Sequence, residues 1–179
     1  MAWTRRWVWA GVGVVLAVLL LGMSGCGKTH EPGRYYSDKG YSIRFPDGWE
    51  QQEGFMGTDV MALSPMEGAA DQFRENVGVT VENLRSTMTL EEYAAAALQG
   101  MQKLCTDFEK LDEGDAVLED GNAKWIAYSF RQGQVKVRAV VYLRVRGRRA
   151  FVLACTASPE TFEQYRPQFE TIARSWRLE

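Results

Sequence analysis

VKVRAVVYLRV, residues 135–145, has an apolar side chain at every second position over eleven residues. This alternation is typical of a β-strand, because successive side chains point to opposite faces of a sheet. Gly133 and Gly147 flank the stretch and predict turns, so the neighbouring strands are expected to run antiparallel to it. Residues 126–130 and 150–157 have the apolar pattern of those two neighbours. The centre of the chain therefore predicts an antiparallel sheet of long strands.

In the segment that precedes these long strands, the sequence pattern predicts shorter strands and one helix. Strands are predicted at residues 41–45, 60–63 and 77–81, where apolar side chains alternate or cluster between turn residues. A helix is predicted from Thr89, which opens a T-x-x-E capping box. Apolar residues then recur at helical spacing as far as Cys105, which is predicted to lie on the apolar stripe.

A second helix is predicted near the C-terminus. Ser158 is its predicted N-cap and Pro159 its first residue, and apolar side chains recur at helical spacing through residues 162–173. Pro167 interrupts this pattern, so we expect a kink or break near Arg166. Antiparallel strands with two helices predict an α+β domain. The expected architecture is a three-layer α-β-α sandwich, in which the helices cover opposite faces of one mainly antiparallel sheet.

Three short motifs, taken in order, resemble a known superfamily. YSIRFPDGW at residues 41–49 looks like the opening motif of the PsbP/Mog-like superfamily, which includes DcrB-like bacterial lipoproteins. TLEEY at 89–93 and the segments at 162–165 and 175–177 are similar to its two helical regions. The resemblance covers residues 35–179 and implies the same sandwich fold. It also implies non-enzymatic roles in assembly, docking and chaperoning, and it supplies no catalytic residues.

The N-terminus predicts export and lipid anchoring. LLLGMSGC at residues 19–26 resembles the lipobox of bacterial lipoproteins, and it follows a charged start and an apolar run. We therefore expect residues 1–25 to be a signal peptide, Cys26 to be acylated, and residues 26–34 to be a lipidated tether. The alternative is an uncleaved anchor, although the apolar run is short for a membrane span. The domain would face the periplasm or exterior, held on the cell membrane or the outer membrane.

The sequence argues against two classes of ligand, nucleotides and nucleic acids. GMSGCGKT at residues 22–29 satisfies the phosphate-loop pattern, but the Pro32-Gly33 that follows cannot continue the required helix. Cleavage before Cys26 would also divide the loop, so no nucleotide is expected. Removing residues 1–25 takes the formal net charge from −2 to −4. That balance argues against nucleic acid, whose phosphates require a basic surface.

The residues needed for common catalytic and metal sites are scarce. His30 is the sole histidine and lies in the predicted tether, which excludes a histidine triad or a zinc–histidine cluster in the domain. The acids between Asp112 and Asp120 do not have EF-hand spacing, so we interpret them as a solvated hairpin. The sequence therefore predicts no enzymatic activity, no cofactor and no metal site.

Two surface regions are candidate contact sites. Residues 131–149 hold seven basic side chains and no acid. Within them Arg138, Arg144 and Arg146 share one strand face and could form a strip that docks anionic lipid headgroups or an acidic partner. The alternative is a solvated sheet edge that pairs with the protein's own acidic hairpin. Phe55 and Met56 are the candidate exposed apolar contacts, unless they tuck into the domain.

The two remaining cysteines leave one structural question open. Cys105 and Cys155 could pair, because an exported compartment permits disulfides, or remain separate thiols, which the sequence favours.

The functional hypothesis is a membrane-anchored, non-enzymatic module that binds or scaffolds another envelope protein. The alternative is a lipoprotein that binds a lipid or small molecule in a pocket between helix and sheet.

Overall fold

The structure is a computed structural model that describes residues 30–68 and 73–179. The predicted signal peptide and Cys26 lie outside the described residues. The elements, in chain order, are β1 (Tyr35–Ser37), β2 (Tyr41–Ile43), β3 (Glu50–Glu53), β4 (Val60–Leu63), β5 (Asn76–Asn83), α1 (Leu90–Leu104), β6 (Thr106–Leu118), β7 (Gly121–Gln132), β8 (Val135–Arg146), β9 (Arg149–Ala157), α2 (Phe162–Ser175) and β10 (Arg177–Leu178).

Seven strands form one antiparallel sheet in the order β3-β4-β5-β9-β8-β7-β6. The predicted long strand is β8, and its Val140 lies opposite Cys155 of β9 on one side and Ala127 of β7 on the other. A smaller sheet holds β1, β2 and β10 in the order β1-β2-β10. The last strand of the chain therefore pairs with β2, near its beginning.

The large sheet separates two apolar cores. Val140 and Tyr142 of β8 face the core under α2, whereas Val141 and Leu143 face the core under α1. The α2 core is the larger and is centred on Trp176, which is fully buried. Alternate side chains of β8 thus pack into the cores on opposite faces of the sheet, as the sequence pattern predicts. The predicted α+β fold with two covering helices is confirmed.

The first helix begins as predicted and ends one residue early. Thr89 Oγ1 accepts the Glu92 backbone N–H at 3.1 Å, and Glu92 Oε2 accepts the Thr89 N–H at 2.8 Å, which completes the capping box. Cys105 lies just beyond α1 rather than on its stripe, because its backbone already has extended geometry. Cys105 is half-buried and Cys155 is buried in β9, and both are free thiols.

The second helix differs from its prediction at two positions. It begins at Phe162, because Ser158 instead closes a preceding turn in which its side chain accepts the Thr161 N–H at 3.2 Å. The predicted break near Arg166 is wrong, since the helix runs through Pro167 to its end. A proline ring fixes a helical φ, so the helix loses one backbone hydrogen bond there without ending.

Candidate functional site

The long strands give the domain two well-separated ends. The β6–β7 turn at Glu119 and the β8–β9 turn at Gly147 lie at one end, which we call the tether end. The β7–β8 turn at Gly133 lies at the other, which we call the distal end. Strand β6 has 13 residues. At roughly 3.3 Å per residue, its two ends are about 40 Å apart.

The N-terminal segment is attached to the tether end through Glu31. Its carboxylate accepts hydrogen bonds from Arg177 at 2.9 Å, from Arg34 at 3.3 Å and from Arg44. Arg177 also donates to Glu119 in the β6–β7 turn at 2.8 Å. The bonds from Arg44 and then Arg177 lower the pKa of Glu31 from 4.5 to about 2. We call Glu31 and its three arginines the clamp.

Two further contacts hold the residues on either side of Glu31. The His30 ring stacks on Tyr36 with centroids 4.1 Å apart. The backbone N–H of Glu31 donates to the Tyr36 hydroxyl at 2.8 Å. The second half of the predicted tether is therefore bound to the domain. This arrangement was not predicted from the sequence, because Glu31 and Arg177 are 146 positions apart and no local pattern joins them.

The predicted strip of arginines is not a continuous exposed surface. Arg138, Arg144 and Arg146 do share one face of β8, but α2 and the C-terminal residues cover much of it. Arg144 is only 5% exposed. Arg138 pairs with Glu163 of α2 at 3.5 Å, and Arg146 donates to the Glu179 carbonyl at 2.6 Å. The prediction that the strip is exposed is therefore wrong at Arg144, because the sequence could not show which face of the sheet α2 covers.

The buried Arg144 guanidinium has partners within the domain. Its Nη1 donates to Asp120 at 2.7 Å and to the Trp176 carbonyl at 3.3 Å, and its guanidinium lies 5.7 Å from the centre of the Trp176 ring. Asp120 belongs to the turn of the acidic hairpin. Pairing with the acidic hairpin is part of the alternative interpretation of the basic segment, but Arg144 makes this pair as a buried side chain and not at a solvated edge. A buried cation with a carboxylate partner and an aromatic face holds the C-terminus against the sheet.

Phe55 and Met56 lie on an exposed and well-defined loop. Their side chains are 41% and 74% exposed, which agrees with their prediction as exposed residues. Met56 has a φ of 51°, a left-handed conformation that is uncommon for a residue with a side chain. The loop is closed by Thr58, whose Oγ1 and N–H both donate to the Phe55 carbonyl, at 2.6 and 3.0 Å.

A cleft of about 260 Å³ lies between α2 and the outer strands β6 and β7. It exists because small side chains, Ala116 and Ala127, occupy the sheet face beside α2. Trp125 forms part of its wall and is half-buried. The helix contributes a charged rim of Arg166, Glu170 and Arg174. The sequence signal for this cleft is the run of small residues on that face, which β periodicity alone does not assign to a pocket.

Charge elsewhere on the described surface is mostly neutralised locally. Lys124 pairs with Asp115 at 2.7 Å across the acidic hairpin. Within residues 30–68 and 73–179, no three His, Cys, Asp or Glu side chains are grouped as metal ligands. In the same ranges no helix has both the length and the apolar character needed to cross a bilayer.

A family model and several solved structures resemble this chain. The PsbP family model matches residues 33–178. Cyanobacterial PsbP (CyanoP) from Synechocystis sp. PCC 6803 is 18% identical with a TM-score of 0.60, over 88% of this chain and 99% of that one. PA94 from Pseudomonas aeruginosa, a protein of unknown function, is 13% identical with a TM-score of 0.58, over 79% and 93%.

A third similar structure is that of a mycobacterial protein. LpqN, involved in cell envelope biogenesis of Mycobacterium tuberculosis, is 16% identical with a TM-score of 0.56, over 84% of this chain and 87% of that one. Identities this low show a shared fold and no more. No curated protein matches the chain significantly.

Proposed function

The chain belongs to the PsbP family, and from this premise we propose that it is a lipid-anchored, non-enzymatic module of the cell envelope that binds another envelope protein. The lipid would be carried by Cys26. The domain would then be exposed outside the cytoplasm, on the cell membrane or the outer membrane.

The position of the domain relative to Cys26 supports the anchor. The family match begins at residue 33, seven positions after the lipobox cysteine. The stacking of His30 on Tyr36 and the clamp at Glu31 bind the chain to the domain from residue 30 onward. An acylated Cys26 would therefore hold a folded domain close to the membrane. LpqN, which shares the fold, is itself involved in cell envelope biogenesis.

The cleft beside α2 is the observation that carries the binding function. Trp125 offers a half-buried aromatic wall, and Arg166 and Arg174 lie on the rim. Aromatic and arginine side chains around a concave site are the groups that contribute most energy to protein interfaces. A side chain from a partner could fill the cleft while its neighbours contact the charged rim.

Photo-crosslinking in native envelopes tests this function. Benzoylphenylalanine in place of Arg174, whose side chain is 74% exposed at the cleft rim, should give one discrete higher-mass product. The matched control is the same replacement at Glu91, which is 72% exposed on α1, on the other face of the sheet. The same products from both positions, or none from position 174, would contradict partner binding at the cleft.

The volume of the cleft also favours a second candidate, a small apolar ligand. At about 260 Å³ it is near the lower limit of ligand sites in proteins. Native mass spectrometry of protein taken directly from membranes would distinguish the two candidates. A monomer that carries the non-covalent mass of a small molecule, without crosslinked protein, would favour the ligand.

A further inference from the structure

The exposed loop at Phe55 and Met56 lies at the same end of the domain as the clamp. We infer that this end rests on the bilayer, with Phe55 and Met56 in the headgroup region of an anionic phospholipid surface. The inference rests on the lipid anchor of the proposed function. It adds a second contact with the membrane and fixes the orientation of the domain.

The length of chain between the anchor and the clamp limits the distance of this end from the membrane. Four peptide steps join Cys26 to His30, the first residue held on the domain. A fully extended chain spans at most about 3.6 Å per residue, or about 14 Å in all. The clamp therefore keeps the tether end near the membrane, whereas the distal end, about 40 Å farther along the strands, is not held there.

Contacts between the small sheet and the large sheet place the loop at the tether end. Asp59, at the base of the loop, accepts hydrogen bonds from Ser37 at 2.5 Å and pairs with Lys39 at 2.6 Å. The Lys39 carbonyl in turn accepts a bond from Arg149 at 2.7 Å, at the start of β9 beside the β8–β9 turn. The apolar loop, the β1–β2 turn and the β8–β9 turn therefore lie together at this end.

The chemistry of this end fits a lipid surface. Met56 and Phe55 present apolar side chains on a loop whose shape is fixed by its own hydrogen bonds, so little entropy is lost when they become immobilised. In the described part of the chain Arg148 donates to the carbonyls of Leu84 and Arg85 and pairs with no carboxylate. Its positive charge is left to attract anionic headgroups.

The available gap argues for lipid rather than a protein partner at this surface. A folded domain of about 100 residues has a radius of gyration of about 13 Å, so its diameter exceeds the gap of about 14 Å. With the strands upright on the membrane, a folded partner would therefore not fit between this end and the lipid while the clamp holds. The cleft beside α2 has no such limit, because it opens at the side of the sheet.

Lipid photolabelling tests the orientation. The purified, acylated full chain is reconstituted in vesicles of phosphatidylethanolamine and phosphatidylglycerol at about three to one, an anionic surface of bacterial type. A diazirine amino acid replaces Met56 or, as the matched control, Leu104, the last residue of α1, which is 86% exposed and lies towards the distal end. Lipid adducts at position 56 should exceed those at 104 by at least about fivefold.

Every outcome of this experiment decides the orientation. An excess below about fivefold, including equal labelling at both positions or more at 104, would overturn it, as would labelling at neither. Replacing both Phe55 and Met56 with serine in the acylated chain should lower lipid contact at a probe placed on Arg85 while membrane attachment persists. Acylation is measured separately by intact mass. A mature chain whose Cys26 carries no acyl group would refute the anchor, whereas the labelling ratio tests only which surface faces the lipid.

Discussion

Arg144 and Asp120 form the most buried ion pair of the tether end, with Nη1 and Oδ1 separated by 2.7 Å. Asp120 also accepts the backbone N–H of Leu178 at 2.8 Å through its other oxygen. One carboxylate thus joins the turn of the acidic hairpin to β8 and to the last strand. This pair holds together the end of the domain from which the N-terminal segment leaves.

Asp120→Ala should destabilise the domain by about 3 kcal/mol, because it leaves the Arg144 guanidinium buried without its carboxylate. The measurement is the urea midpoint of the purified domain. Asp115→Ala is the control, since Asp115 is 80% exposed where it pairs with Lys124. That change should cost less than about 1 kcal/mol. Equal effects of the two substitutions would mean that Arg144 does not depend on Asp120.

Gly114→Ala should displace the Trp125 ring, which forms part of the cleft wall, and lower stability by about 1–2 kcal/mol. A Cβ at Gly114 would lie 3.0 Å from Nε1 and Cζ2 of Trp125, so the indole must move. Gly100 of α1 is the control, because a Cβ there meets no atom within 4 Å. Gly100→Ala should stabilise the protein by up to about 1 kcal/mol, since alanine favours helix. If both substitutions stabilise, Trp125 is not confined as the structure describes.

Glu31→Gln should remove part of the acid sensitivity of the domain. The folded-state pKa of Glu31, about 2, lies below its ordinary value of 4.5. Its stabilising effect is therefore complete above about pH 4.5 and is lost as the pH falls towards about 2. The variant should melt at a lower temperature than wild type at neutral pH, and the two melting temperatures should converge near about pH 2.

The control for the clamp is Glu91→Gln, which changes an exposed carboxylate on the other face of the sheet. Because Glu91 lies in the first turn of α1 and 3.9 Å from Lys124, this change should lower the melting temperature slightly, and by less than Glu31→Gln at neutral pH. A difference between wild type and Glu31→Gln that stays constant with pH would show that the carboxylate charge is not the cause.

The two domain cysteines should differ in reactivity. Burial raises the pKa of both thiols, and Cys155 is fully buried whereas Cys105 is half-buried. A thiol reagent at mildly alkaline pH should therefore modify Cys105 in the native Cys26→Ser protein, and Cys155 only after unfolding. Mass spectrometry counts the modifications. If neither thiol reacts in denaturant until a reductant is added, the cysteines are paired and the structure is wrong there.

Local patterns in the sequence predicted the fold well. The alternation at 135–145 and the T-x-x-E box at Thr89 depend on neighbours within a few residues, and both β8 and the start of α1 agree with them. The start of α2 was misplaced because a serine can close a turn as readily as it caps a helix. Pro167 was given too much weight as a helix breaker.

The candidate sites were predicted less well, because they depend on which distant elements meet. The two-residue repeat of a β-strand placed Arg138, Arg144 and Arg146 on one face of the sheet. Only the packing of α2 decides which of them is exposed. Glu31 belongs to a cluster whose members come from both ends of the chain. Exposure of Met56 was predictable from its glycine-flanked loop, whereas its place at the tether end required the contacts of Asp59.

The most direct test of the lipid anchor is the intact mass of the protein purified from membranes of its own cells. The account predicts a mature chain that begins at Cys26 and carries a diacylglyceryl group, with or without a third acyl chain. A chain that retains Met1, or that begins at an unmodified cysteine, would contradict the anchor and, with it, the proposed orientation on the membrane.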